Sequence, residues 1–550
     1  MHVLGINAVF HDQAAALVVD GRVVAAAEEE RFSRRKHGKR PVPFAAWELP
    51  EQAAAWCLAS AGLEPGDLDA VAYSFDPGLC RPADELGLLD PWDWLRVEYA
   101  SRAPAFLAEA LPGLDPAAVR FVPHHVAHAA SAALAAPRED GHGDCAVLVL
   151  DGRGEVASHL AGVYRDGALE PLAAQQLPHS LGLVYEDLTT HLGFLRSSDE
   201  YKVMALASYG RARHLPLMRE LIRTTDVGGF SVEPIDWSVL AKPRAPDGEM
   251  ADEHADLAAS VQARLEEVLL ELAGWLHGAA GGPSALAMAG GVALNCVANA
   301  RLAEHGPFER IWVQPAAGDA GTALGAALHV AVGGGDTVAP MPGADLGRGF
   351  GEEQIEAELR RARLPYRRPD SIATEAAAVL ADDGLVAWYQ GRSEYGPRAL
   401  GRRSLLAHPG NPDTTARLNE VKGREQFRPV APMVRAERAA EVFDGRLPSP
   451  YMLFVHRVRP GWRDRIPAVV HVDGTARVQT VAADDEPLVA DLLAEFERRS
   501  GLPVVVNTSL NTAGRPMVDT PREAMELFGS APVDLLAIGP FAVHRRMAFS

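Results

Sequence analysis

The chain has 550 residues, 48% of them hydrophobic and 23% charged, with 53 lysines and arginines against 73 aspartates and glutamates, a formal charge of −20. That composition is too apolar for a disordered chain and fits two to four domains at roughly 100–200 residues each. The net acidity argues against a general nucleic-acid binder or a protein that adheres to anionic membranes, although it leaves room for a local basic pocket. The four cysteines, Cys57, Cys80, Cys145 and Cys296, are dispersed without a CxxC pair. This excludes a thiolate zinc finger and argues against a disulfide framework. The opening MHVLGINAVFHD lacks the basic segment and apolar run of a signal peptide, and no apolar stretch of about 18 residues occurs, so a cytoplasmic location is expected.

Taken in order, one pattern occurs twice. Val3 to Ile6 is an apolar run ending at Asn7. A polar loop with His11 and Asp12 follows, then Ala14 to Val19, the turn Asp20-Gly21, and Val23 to Ala27. Ala146 to Leu150 ends at Asp151. The loop Gly152-Arg153-Gly154 follows, then Ser158 to Tyr164, the turn Asp166-Gly167, and Leu169 to Ala173. Asp-Gly between β-type runs is a hairpin signal, so each half opens as strand, polar loop, strand, tight turn, strand. The duplication resembles the outline of an actin-like ATPase fold. Helices are expected over Gln52 to Ala61, Asp252 to His277 and Val292 to Ala303, and strands over Ser284 to Met288 and Ile311 to Val313. The Gly/Pro-rich segment Val332 to Gly351 reads as a linker. Beyond it Glu353 to Arg363 and Pro521 to Phe528 read as helices, and Leu385 to Tyr389 and Leu502 to Val506 as strands. Two domains are expected, 1–350 and 351–550.

Three constellations carry chemistry. His124 and His128 stand at i and i+4 in a helix-prone stretch, one helix face and metal-ligand spacing, which Asp151 at a strand end and Asp319 in a Gly-flanked loop could complete. Taken alone, the histidines also read as surface residues and each aspartate as a cap or turn residue. Gly290-Gly291 with Asn295, and Gly318-Asp319-Ala320-Gly321, lie between strand and helix, where backbone amides can approach a phosphate or merely allow close packing. Gly152-Arg153-Gly154 fits a loose dinucleotide fingerprint but leads into a strand and is set aside. From Gly391 to Val430, eight basic residues stand against four acidic ones. Arginines among glycines suit planar recognition of phosphate or carboxylate, the alternative being a solvated basic face. Arg477 and the loop Asn507 to Asn511 could add donors.

These residues resemble the bacterial antibiotic O-carbamoyltransferases, the tobramycin-, cephamycin- and nodulation-type enzymes. The matching stretches run in the family's order over nearly the whole chain: FHDQAAAL (Phe10 to Leu17), AEEERFSRRKHG (Ala27 to Gly38), HHVAHAASA (His124 to Ala132), VLDGRGE (Val149 to Glu155), KVMALASYG (Lys202 to Gly210), AGGVALN (Ala289 to Asn295), QPAAGDAGTALGAA (Gln314 to Ala327), GRSEYGPRALGRRSLL (Gly391 to Leu406), VKGREQFRPVAP (Val421 to Pro432) and VVNTSLN (Val505 to Asn511).

The resemblance implies an α/β chain. Its N-terminal half would be actin-like, similar to tRNA threonylcarbamoyl transferase, and its C-terminal half YrdC-like and carbamoyl-phosphate-binding. The implied reaction converts carbamoyl phosphate and ATP, with Mg2+, to carbamoyl adenylate and transfers the carbamoyl group to a hydroxyl of a natural product such as an antibiotic, often on a sugar. By the same resemblance His124, His128, Asp151 and Asp319 look like ligands of Fe2+ or another divalent metal. Lys202, Gly290, Gly291, Asn295 and Asp319 look like nucleotide contacts. Arg398, Lys422, Arg428, Arg477 and Asn507 look like the carbamoyl-phosphate site, and His11 with Asp12 like the acceptor-side base. The alternative is a tRNA threonylcarbamoyl-type transferase, which the −20 charge disfavours. The dispersed cysteines disfavour a hydrogenase-maturation carbamoyltransferase, and a non-catalytic actin-like scaffold would leave the basic segment without a purpose. No nucleic acid or membrane is expected as partner, and a homodimer stays open. The segment Phe75 to Pro112 matches nothing in the family; with Asp76, Trp92, Trp94 and Tyr99 it is a candidate for shaping the acceptor pocket.

Overall fold

A computed structural model describes all residues except 39–48, 89, 138–143, 513 and 549–550. The chain divides into two compact units, Met1–Ala344 and Asp345–Ser550. Among the described residues no helix is long and apolar enough to cross a membrane.

The first unit contains two five-stranded sheets of the same topology. One is built from β1 (His2–Asn7), β2 (Ala14–Val19), β3 (Arg22–Glu28), β4 (Ala70–Tyr73) and β5 (Val119–Phe121), in the order β3-β2-β1-β4-β5. The other is built from β6 (Cys145–Leu150), β7 (Ala157–Arg165), β8 (Ala168–Gln176), then, past the small hairpin of β9 (Ile222–Thr224) and β10 (Phe230–Val232), from β11 (Ala285–Ala289) and β12 (Arg310–Val313), in the order β12-β11-β6-β7-β8. In each, the first strand runs antiparallel to the second and parallel to the fourth. This repeated order is the actin-like architecture expected from the duplicated opening. Both Asp-Gly turns have left-handed backbone at both residues, φ 48° and 72° at Asp20-Gly21 and 49° and 78° at Asp166-Gly167. Such turns match the twist of a two-strand hairpin.

The segment after Asp151 is indeed a strand, β7, and not a dinucleotide-binding helix. The helical run expected from Val292 is split: Gly291–Leu294 is one tight 3-10 turn, and the α-helix starts at Cys296 because the Asn295 side chain caps it, accepting from Ala298 N at 3.0 Å. The expected linker is shorter than its composition suggests, since Val332 and Gly333 still belong to the helix Ala320–Gly333.

That helix is wedged against β1 on one side and the helix His124–Ala133 on the other. Both contacts are closer than any side chain permits. A Cβ at Gly5 would lie 1.8 Å from the Ala323 carbonyl oxygen, and one at Gly325 would lie 1.8 Å from that of Ala127. Small residues pack beside these contacts: Ala323, Ala326, Ala327, Ala129 and Ala130 are fully buried.

The second unit is a mixed α/β layer structure. It contains β13 (Val386–Tyr389), β14 (Arg403–Ala407), β15 (Ala431–Arg435), a small sheet of β16 (Phe443–Asp444), β17 (His456–Val458) and β18 (Thr475–Ala476), then β19 (Gln479–Val481), β20 (Val504–Ser509), β21 (Leu535–Ile538) and β22 (Phe541–His544). The main sheet has the order β19-β15-β20-β14-β13-β21-β22. Its core includes Trp388, Leu406, Met433, Val505, Phe496 and Phe528.

Because the Gly325 contact is backbone against backbone, Gly325→Leu is expected to destabilise the first unit by about 1–3 kcal/mol or more through overpacking. The same change at Gly333, where a Cβ meets nothing within 4 Å, is expected to cost far less. Thermal unfolding of both variants checks this.

Candidate functional site

The wedged helix begins immediately after Asp319, so its packing sets that carboxylate against the helix that carries His124 and His128. Asp151 follows the last residue of β6. The four side chains converge, with ligand atoms all within 4.8 Å of one another, and all four are buried. His124 Nε2 lies 3.3 Å from Asp151 Oδ2 and 3.6 Å from Asp319 Oδ1, and His128 Nε2 lies 3.8 Å and 3.6 Å from the same two oxygens. Both ring nitrogens of His128 and both oxygens of Asp319 are buried without a hydrogen-bond partner. Buried polar atoms in that state cost free energy unless something else satisfies them. Two imidazoles and two carboxylates around one point are the donor set of a divalent cation, and the four residues could hold one. Burial would by itself push both carboxyls up. Instead the His124 hydrogen bond and the His128 field hold Asp151 well below its ordinary range, and the nearby His11 ring holds Asp319 at about 2. Burial opposes charge on His124 too, yet the two aspartates raise its pKa well above the usual value. The pocket is thus electrostatically prepared for positive charge.

Residues that sequence reasoning passed over orient these ligands. The Ser74 carbonyl faces His124 Nδ1 at 3.3 Å, which leaves Nε2 turned toward the aspartates. Thr322 Oγ1 donates to Ser74 Oγ (2.7 Å), Ser74 Oγ donates to Asn7 Oδ1 (3.4 Å), and Asn7 Nδ2 donates to the carbonyls of His11 (3.0 Å) and Asp12 (2.9 Å). Glu155, buried with its pKa raised by burial, accepts from the backbone N–H groups of His124 and Asp76, each at 2.8 Å. It thereby ties the start of the ligand helix to the loop after β4. Apart from Asn7, which is four and five residues from the carbonyls it holds, these partners lie far along the chain from the groups they serve, so no spacing in the sequence marks them.

The hairpin loop faces this centre. Phe10 and Asp12 are both left-handed, φ 63° and 53°, backbone strain of the kind that collects at functional sites. His11 Nδ1 lies 2.9 Å from Asp12 Oδ2 and His11 Nε2 lies 3.7 Å from Asp319 Oδ2. The other Asp12 oxygen lies 2.6 Å from His37 Nδ1. Burial opposes ionisation of Asp12, but the two histidines hold its carboxyl well below the usual range.

Gly291 N donates to Asp151 Oδ1 at 2.9 Å, and a Cβ on Gly290 would lie 2.1 Å from the Leu150 carbonyl oxygen. The glycine pair therefore lines the centre with bare backbone. Asn295 is less available than its sequence position suggests. Besides capping its helix it exchanges hydrogen bonds with the Gln262 amide (2.8 and 3.2 Å). Lys202 pairs with Asp199 at 3.0 Å and lies over the Phe194 ring. Its helix, Glu200–Ala207, meets the Asn295-capped helix through Met204 and Cys296 at 3.8 Å.

In the second unit the basic segment divides by role. Arg403 is fully buried, donates to the carbonyls of Gln390, Gly391 and Arg348, and stacks on Tyr389 at 3.7 Å. Arg402 pairs with Asp345 and Glu486, Arg417 with Asp383, and Arg392 donates to the Leu346 and Gly347 carbonyls. These four are structural: guanidinium forks, from the fully buried Arg403 to the part-exposed Arg417, satisfy backbone carbonyls and carboxylates of a loop-rich unit. Arg398, by contrast, stands on a loop pinned from three sides. Glu394 Oε1 accepts from Leu400 N, Arg402 N and Arg403 N (2.7, 2.9 and 3.2 Å), Asn507 Nδ2 donates to the Ala399 carbonyl (3.1 Å), and Gln479 Nε2 donates to that of Leu400 (2.8 Å). Lys422 closes its helix and spreads a buried ammonium over neutral oxygens at the end of β20, Ser509 Oγ (3.1 Å) and Asn511 Oδ1 (2.6 Å). Asn419 holds the Arg428 carbonyl at 3.1 Å, and the Arg428 side chain reaches Glu425 at 3.4 Å. Asn507 is fully buried and its Nδ2 also serves Gln479 Oε1 at 2.7 Å, so its side chain braces the loop. Arg477 lies two residues before Gln479, at the end of the small sheet.

Glu155→Ala orphans two N–H groups, and is expected to cost about 1–3 kcal/mol for each and to weaken metal affinity roughly 10–100-fold. Glu155→Gln keeps a carbonyl acceptor and is expected to retain most of both, read by thermal unfolding and metal titration.

The family model described as the carbamoyltransferase N-terminus matches residues 2–81 and 99–328, and that described as the carbamoyltransferase C-terminus matches 377–545. Similar proteins include the nodulation protein NolNO of Sinorhizobium fredii, 37% identical over 98% of this chain and 80% of the relative. Nodulation protein U of Rhizobium tropici is 31% identical over 94% of this chain and 92% of its own. An uncharacterized protein of Synechocystis is 35% identical over 99% and 97%. With matches that span both units and nearly the whole length, the chain belongs to the carbamoyltransferase family.

Proposed function

We propose that the protein is an ATP-dependent O-carbamoyltransferase that uses carbamoyl phosphate as donor and a natural-product hydroxyl as acceptor. The observation that carries this is the buried two-histidine, two-aspartate centre with the His11–Asp12 pair beside it, in a chain of this family. The second unit, read as the YrdC-like half, captures carbamoyl phosphate through Arg398, Lys422 and Arg428, where water cleaves it to carbamate and phosphate. A carbamate oxygen then attacks the α-phosphorus of ATP, and pyrophosphate leaves. In the last step the acceptor oxygen bonds to the carbamoyl carbon, the bond to the adenylate oxygen breaks, and AMP leaves with the electron pair.

The chain's own residues suit these steps. Asp12 holds His11 Nδ1, so the Nε2 lone pair is directed toward the centre, where it takes the acceptor's proton. Gly290 and Gly291 let backbone approach the nucleotide without a Cβ in the way. The pinned loop holds Arg398 in one geometry before the anion arrives, which spares ordering entropy on binding. A bound Fe2+ or other divalent cation, held by His124, His128, Asp151 and Asp319, would supply Lewis-acid stabilisation of developing negative charge.

Incubation with carbamoyl phosphate, ATP, Mg2+ and ferrous iron is expected to yield pyrophosphate and carbamoyl adenylate by mass spectrometry; the absence of both under every metal tried would sink the proposal. His128→Ala is expected to lose bound metal, measured by elemental analysis. Arg398→Ala is expected to raise KM for carbamoyl phosphate by at least about tenfold, the loss of one charge-assisted contact of about 1.4 kcal/mol or more. Unchanged kinetics would return that arginine to a structural role.

A further inference from the structure

The family match to the first unit skips residues 82–98. Described residues of this stretch, with Cys80 and Arg81 before it, line an open cavity of about 720 Å³, within the usual span of roughly 300–1,000 Å³ for small-molecule sites. Its apolar wall includes Cys80, Pro82, Leu88, Pro91, Trp94 and Val97. Trp94 is 65% exposed and Trp92 52% exposed. Large aromatics left in water beside a cavity are characteristic of a binding surface.

The polar part of the wall is acidic, made of Asp84, Asp90 and Asp93, with Arg81 the cationic exception and paired to Glu85 at 3.1 Å. Asp90 and Asp93 are each shared by Arg96 and Arg153, at 2.5–3.3 Å. This two-to-two cluster is internally neutral. Its guanidiniums are already engaged, so the cavity offers an anion no ready partner.

The same cluster connects the cavity to the candidate metal centre. Arg96 and Arg153 both lie 5.1 Å from the Phe10 ring, and the Phe10 edge meets the His124 ring at 5.7 Å. Cys80 belongs to the wall and Asp76, four residues earlier, shares Glu155 with His124. The wall of the cavity and the first metal ligand are therefore braced by the same side chains.

We propose that the 82–98 insert is the specificity element for the acceptor, and that it takes a hydroxylated ring with an apolar face and no anionic group, a neutral or amino sugar. Trp94 and its apolar neighbours cover the ring face, and Asp84 accepts from hydroxyl or ammonium groups. The acceptor role rests on the carbamoyl-transfer reading; the sugar site itself does not.

Binding to the full chain is measured by tryptophan emission and by calorimetry with three probes: n-octyl β-D-glucopyranoside, kanamycin and glucose 6-phosphate. At least one of the two non-anionic sugars is expected to bind and glucose 6-phosphate not to. Trp94→Ala is expected to weaken calorimetric Kd by at least about tenfold, and Leu88→Arg to abolish binding by filling the cavity. Val239→Ala, at an exposed side chain outside this region, is the control for surface substitution, and thermal unfolding of each variant checks the fold. If neither sugar binds, if the phosphate binds more tightly than both, or if both insert variants bind like the unmodified chain, the inference is overturned. Sugar binding at the insert in a protein that makes no pyrophosphate from ATP and carbamoyl phosphate would overturn the reaction and leave the site. Pyrophosphate formation with no sugar bound would do the reverse.

Discussion

Everything at the candidate centre depends on how closely three pieces of backbone approach one another. The helix Ala320–Gly333 touches β1 through Gly5 and the helix His124–Ala133 through Gly325, at separations that leave no room for a Cβ. Packed interiors tolerate little slack, so a contact of this kind sets position to within a fraction of an ångström. Asp319, at the mouth of that helix, inherits the precision and meets two histidines that lie almost two hundred residues earlier. Asp151 arrives independently, from the strand end of the second sheet. The centre is where the two repeated halves of the first unit present corresponding loops.

Around the ligands the polar groups form a supported set. Thr322, Ser74 and Asn7 pass hydrogen bonds from the wedged helix to the His11–Asp12 loop, while the Ser74 carbonyl orients His124. Glu155 spends one oxygen on two backbone donors. The inner atoms of His128 and Asp319, by contrast, have no hydrogen-bond partner and only looser charge contacts at 3.6–3.8 Å. Satisfied surroundings around lone pairs left open at the centre suit a cation site, because the outer partners orient the ligands while the inner atoms keep lone pairs for a metal.

The second unit solves the opposite problem, bringing positive charge inward without losing it. It does so by assigning some arginines to architecture. Arg402 and Arg403 fasten the strand pair that begins β14, and Glu394, Asn507 and Gln479 fix the loop that carries Arg398. A guanidinium on an immobilised loop loses little further entropy when it meets an anion.

Much of this is legible in the sequence, for reasons of range. Hairpin turns, helix periodicity and the i, i+4 histidines are local, and Asp-Gly turns leave the chain few alternatives; the duplicated opening therefore pointed to the actin-like unit. The short strands β4 and β5 were not legible, because three or four residues carry too little periodicity to separate strand from helix or loop. Asn295 looked like a nucleotide donor because its position after two glycines was visible and Gln262 opposite it was not. The arginine-rich segment was visible as charge, but whether each guanidinium faces a carbonyl, a carboxylate or open space depends on residues far away along the chain. Glu155 and Thr322 lie in stretches that resemble the family, but nothing local shows which groups they serve, and Ser74 carries no local signal. Family membership, the duplicated hairpins and the four candidate ligands can be read from the residues alone. Which side chains orient those ligands, which arginines are architecture, and that described residues of the 82–98 insert line a cavity emerge only from the fold, since each is a meeting of groups that covalent neighbourhood does not specify.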